Sequence, residues 1–126
     1  MSFPFPYEDA GLAYAIALPN MGVELTDLEA AMDAEVEKLQ NDLISDLELQ
    51  KLKNQYEANH VNGNASLENR AYNLAINYTF HKDANLINTE IDKFLAVTKE
   101  DIMRVAKEYF RKDNRVVLYY LPKSQQ

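Results

Sequence analysis

No cysteine and no tryptophan occur among the 126 residues, and only three glycines, four prolines and two histidines do. Without cysteine there is neither a disulfide framework nor a thiolate metal site, and the compartment is left open between periplasm and cytoplasm. Three glycines leave no room for a phosphate-cradling loop or a dinucleotide fingerprint, and no GxSxG elbow occurs. Basic residues are outnumbered, 13 Lys and Arg against 20 Asp and Glu, for a formal net charge of −7. That balance argues against nucleic acid or an anionic membrane surface as a partner, since either asks for a clustered basic patch. No run approaches the roughly 20 apolar residues of a membrane helix. The start, MSFPFPYEDAG, has no basic and apolar leader pattern, so no targeting signal is expected in this segment.

What is present is ordinary globular material, 47% hydrophobic and 26% charged. The length suits one domain, residues 1–126, too short for two. Residues 3–9 hold two prolines and read as an extended lead-in rather than an element. Gly11 to Leu18 (GLAYAIAL) is apolar on both faces and predicts a buried strand, closed by Pro19-Asn20-Met21-Gly22.

Five helices follow. Thr26-Asp27-Leu28-Glu29 spells a capping box, and behind it Leu28, Met32, Val36, Leu39 and Leu43 recur at helical spacing, with Asp33, Glu35, Glu37 and Lys38 largely off that stripe. Ser45-Asp46-Leu47-Glu48 repeats the box, with Leu49, Leu52 and Tyr56 expected inward and Gly63 as a left-handed cap. Ser66 opens a third helix whose face would be Leu67, Ala71, Leu74, Ala75 and Tyr78. A fourth is expected from about Asn88 to Val97 with Ile91, Phe94 and Leu95 inward. Thr98-Lys99-Glu100-Asp101 caps a fifth with Ile102, Val105, Ala106 and Tyr109 as its stripe. Lys112-Asp113-Asn114 is a turn, and Arg115 to Leu121 (RVVLYYL) is β-branched and aromatic, predicting a buried strand that Pro122 stops.

The expected order is β-α-α-α-α-α-β: an α+β arrangement of two strands and about five helices packed mainly on one face. Two strands do not make a stable sheet alone. Either they pair beneath the helices, or further strands come from outside, which suggests part of a larger domain.

Catalytic chemistry finds little support. His60 and His81 lie twenty-one residues apart on different elements, and neither HExxH nor HxxEH occurs, so no zinc site is expected. The carboxylate pairs Glu8-Asp9, Glu35-Glu37 and Glu100-Asp101 read as solvated helix faces and first turns. Arg70 and Tyr78 could clamp a carbonyl only if they shared a face. No catalytic, cofactor-binding or metal residue is assigned, and this chain alone is expected to be inactive.

The segments Glu48-Leu49-Gln50-Lys51-Leu52-Lys53-Asn54-Gln55 and Val97-Thr98-Lys99-Glu100-Asp101-Ile102, the latter continued by Val105-Ala106 and Tyr109-Phe110, carry a resemblance. They resemble the E-L-x-x-x-K-x-Q and V-T-x-E-D-I-x-x-V-A-x-x-Y helices of the pitrilysin/insulinase family of zinc metallopeptidases. Arg115-Val116-Val117 leading to Pro122 is similar to that family's closing strand. Glu8-Asp9-Ala10-Gly11-Leu12 with Leu18-Pro19-Asn20 is similar to the strand and turn before the long helix of its C-terminal domain. The resemblance covers almost the whole chain in order. It implies half of a pitrilysin-type α+β domain, the C-terminal portion of the non-zinc unit, in a parent that hydrolyses peptides. Zinc and HxxEH would belong to the N-terminal domain or a separate subunit, which would be this chain's partner along with the peptide substrate. The rival expectation is a non-catalytic helical interaction module that self-associates, as a homodimer, through its sheet edge or face.

Overall fold

The computed structural model describes residues 2–6 and 10–121, with backbone alone at 3 and 6. The fold is α+β, five helices and a two-stranded antiparallel sheet. Both strands stand at the start of the chain: β1 (Ser2–Pro6) pairs with β2 (Gly11–Ala15), Phe3 opposite Tyr14 and Phe5 opposite Leu12. The proline-rich lead-in is therefore a strand. An antiparallel ladder draws on every second amide, and Pro4 and Pro6, two apart, both fall in the set that faces away from β2. The β2 strand stops at Ala15, short of Leu18, and it is exposed rather than buried. The turn before the first helix forms as expected, with the Val23 amide donating to the Asn20 carbonyl at 3.1 Å and Gly22 at φ 82°.

The chain divides into two compact units, Met1–Lys38 with Arg115–Gln126, and Leu39–Asn114. In the first, α1 (Leu25–Asn41) presents Leu28, Met32 and Val36 as a half-buried stripe. Thr26 does not cap it. The helix opens two residues earlier than a Thr26 cap would place it, with the Leu28 amide on the Glu24 carbonyl, and the Glu29 carboxylate is engaged elsewhere. The closing segment 115–121 is not a strand: it finds no ladder partner among the described residues, and Pro122 lies outside them.

The second unit holds α2 (Asp46–Gly63), α3 (Leu67–His81), α4 (Leu86–Leu95) and α5 (Lys99–Tyr109). The Ser45 and Ser66 hydroxyls cap α2 and α3 by accepting from Glu48 and Asn69 amides, each at 3.1 Å. The α5 start is a full capping box between Thr98 and Asp101. Helix α4 packs against both α2 and α3. The Tyr56 and Phe94 rings stack across the α2–α4 contact, centroids 3.9 Å apart, and Lys53 Nζ donates to the Leu95 carbonyl at 2.6 Å. Lys99 reaches Asp46 at 2.6 Å, joining the starts of α5 and α2. The Gln40 amide, from the last turn of α1, donates to the Ala106 and Phe110 carbonyls at 3.2 and 3.0 Å and closes the end of α5.

Several details differ from the sequence reading here. Phe94 on α4 and Val105 and Tyr109 on α5, expected inward, are exposed. Gly63 ends α2 in helical geometry, and Asn64 at φ −103° is the cap; no left-handed glycine is needed because the Asn64 amide already meets the His60 and Val61 carbonyls. Leu52 is exposed while Lys53 shares the packed face with Leu49 and Tyr56. On α3 the half-buried residues are Asn73, Ile76 and Asn77, so the Leu67, Ala71, Leu74, Ala75 and Tyr78 face turns to solvent. The one fully buried hydrophobic side chain among the described residues is Ala106, 1% exposed.

Candidate functional site

The densest polar constellation joins residues more than eighty positions apart. Glu29 and Asp33, one helical turn apart on α1, lie on the same flank of its apolar stripe. Arg115 and Tyr119, four apart in an extended segment, point to one side of it. Arg115 takes Asp33 in a bidentate fork, Nη1 donating to Oδ1 and Nη2 to Oδ2 at 3.1 Å, and Nη2 also donates to Glu29 Oε1 at 2.9 Å. The Tyr119 hydroxyl donates to the other Glu29 oxygen.

The bond to Asp33, reinforced by the charges of Asp33 and Glu29, raises the Arg115 guanidinium above its ordinary value despite some loss of water. The hydrogen bond to Glu29, then loss of water, raises the Tyr119 phenol likewise. Each shift holds its group in the protonated form. A donor-saturated pair of carboxylates is a poor general base, and a phenol kept neutral is a poor nucleophile. The cluster is a clasp, holding the closing segment on α1.

The clasp was legible only in part. Glu29 read as a capping residue, Asp33 as a solvated charge, and Arg115 and Tyr119 as strand residues. The i, i+4 carboxylates opposite an extended chain with Arg and Tyr at matching parity were the available signal.

The other candidates do not converge. Arg70 turns back to donate from Nε to the Asn64 carbonyl at 3.2 Å, whereas Tyr78 lies beneath the Lys82 ammonium, 6.0 Å from the ring centre. His60 is half-buried near the end of α2, and His81 is the last residue of α3 rather than a loop residue. Among the described residues no group of three or more His, Asp or Glu is placed to hold a metal ion. Glu35 pairs with Lys38 at 2.6 Å. Asp101 caps α5, and its bonds to the Thr98 amide and hydroxyl hold its carboxyl below the ordinary value. Glu8 and Asp9 lie outside the described residues. Among the described residues no helix is long and apolar enough to cross a membrane.

Along 115–121 the exposure alternates: Val117 and Tyr119, on the clasped side, are 44% and 47% exposed, against 95%, 86% and 92% for Val116, Leu118 and Tyr120. That is a strand's two faces without a strand's neighbours. Comparison with known proteins adds nothing to this picture: no family model matches the chain, and neither a curated protein nor a solved structure matches it significantly.

Proposed function

We propose that this chain is a non-catalytic scaffold of a pitrilysin/insulinase-type zinc peptidase, supplying chamber wall and interface to a unit that carries the HxxEH motif and the metal. The observation that carries this reading is the exposure of its apolar faces. Among the described residues, one fully buried hydrophobic side chain, an uncovered face on α3 and an extended segment with no ladder partner are the properties of a piece that finishes folding against a partner. The ordered motifs from Glu48 to Gln55 and from Val97 to Phe110 support the choice of family. In such a parent the chemistry, water activated by zinc with a glutamate as base, belongs to the other unit.

The test mixes the purified chain with the HxxEH-bearing unit of the same peptidase, followed by gel filtration and hydrolysis of a quenched fluorescent peptide. Co-elution, with hydrolysis that rises on addition of the chain, is expected. A zinc unit that neither binds the chain nor changes its rate would remove the proposal.

A second reading, a self-associating interaction module, is favoured by one observation. Segment 115–121 is held open in extended form with no backbone hydrogen bond among the described residues.

A further inference from the structure

We infer that two copies of this chain exchange strands, the 115–121 segment of each adding to the outer edge of β2 in the other. The exchange rests on the self-association reading and asks nothing of a peptidase partner.

The two-stranded sheet has unequal edges. Mutual bonds in an antiparallel pair need an amide from each member, which Pro4 and Pro6 cannot give. The bonded pairs are therefore Phe3 with Tyr14 and Phe5 with Leu12. It follows that of the outward positions of β1, Ser2, Pro4 and Pro6, only Ser2 carries an N–H, a nearly closed edge, while the outward amides of β2 belong to Gly11, Ala13 and Ala15, an open one. The side chains beside that open edge are small or apolar and uncharged.

Segment 115–121 is the complementary donor. It has the composition of a strand, its clasp to Glu29 and Asp33 fixes which face turns inward, and its backbone groups make no hydrogen bond among the described residues. Its single charge, Arg115, is already paired with Glu29 and Asp33 within its own copy. Each copy thus holds one donor and one acceptor, and a reciprocal exchange about a twofold axis uses up both and closes. That count selects a second copy over an unrelated partner, which would leave one of the two edges unspent.

The contact is small. Pairing is limited by the five residues of β2, which span about 17 Å, and a sheet edge with its side chains is about 10 Å deep. Two such strips, counted on both surfaces, give roughly 700 Å², below the roughly 1,200 Å² where standard interfaces begin, so the dimer is expected to be weak and to dissociate on dilution.

Light scattering after gel filtration, over a dilution series, gives the mass of the particle. A dimer of twice 14.5 kDa is expected, with amide hydrogen exchange slowed at Gly11–Ala15 and at 116–121 as concentration rises. Ala13→Pro removes the central outward amide without touching a bond to β1, and should give a monomer with its helical circular dichroism intact, whereas Ala13→Thr should remain dimeric. A monomer at all concentrations overturns both the exchange and the self-association reading. A dimer that survives Ala13→Pro overturns the exchange alone. Should Ala13→Pro fail to fold, the native chain decides: equal exchange rates at low and high concentration in these two segments overturn the proposal.

Discussion

Replacing Ala106 by leucine tests where the packing of the Leu39–Asn114 unit is concentrated. Ala106 is 1% exposed, and its carbonyl receives the Gln40 amide, so the α5 backbone is held on that side and cannot retreat. Three added carbons must be accommodated by forced rotamers or a shifted helix, which typically costs about 1–3 kcal/mol. The same substitution at Ala71, exposed on α3, exchanges two strong helix formers on open surface and should stay within about 0.5 kcal/mol. For a unit of this size each kcal/mol moves the melting temperature by about 4–8 °C, so the two variants should part by roughly 5–20 °C. Thermal and urea unfolding followed by far-ultraviolet circular dichroism, at the lowest workable protein concentration, measures both. Equal midpoints would refute the assignment of Ala106 as the packing centre.

Thr98→Ala should cost about 1 kcal/mol through loss of the α5 cap, read as a lowered urea midpoint. Because the folded state holds the Asp101 carboxyl below its ordinary value, that contribution is present above the unfolded carboxylate pKa and is lost as pH falls through the folded one; in Thr98→Ala the acid-side slope should flatten. Gly63→Ala should stabilise by about 0.4–1 kcal/mol, since Gly63 is helical with open space at its Cβ, whereas Gly22→Ala, at φ 82°, should destabilise by about 1–2 kcal/mol in the same assay. With the Tyr119 phenol raised, its hydrogen bond stabilises below the ordinary tyrosine pKa and is lost as pH rises through the folded value. An ultraviolet tyrosinate titration should lose one of its late components in Tyr119→Phe, the other belonging to Tyr56, which burial also raises. Arg115→Gln should make the bonds after Val116 and Leu118 faster to nick in limited proteolysis, and an unchanged rate would remove the clasp.

The helices were readable because their signals are local: Ser45, Ser66 and Thr98 cap as their spacing demands, and Leu28, Met32 and Val36 repeat over one helix. The strands were not, because pairing is a property of two segments. GLAYA and RVVLYYL have similar composition, yet only the first pairs with a second strand among the described residues, and that partner looks like a proline-rich lead-in until its prolines are seen to share parity. The α3 face was misjudged for a related reason. Periodicity shows that Leu67, Leu74 and Tyr78 share a face but not which way it turns, and Asn73 and Asn77 face inward, where Asn73 donates to Asn64 at 2.9 Å. The clasp was hidden by separation, 82 residues between Asp33 and Arg115.

The Gln40 bonds to Ala106 and Phe110 also constrain time. They link residues 66 and 70 apart, so the chain must close a loop whose entropy is about 3–4 kcal/mol before α5 receives its terminal cap. Contacts that wait on such closure form late in folding and are weakly developed in the transition state. Gln40→Ala should therefore leave the refolding rate nearly untouched and hasten unfolding, making one glutamine side chain a governor of how long the native state lasts.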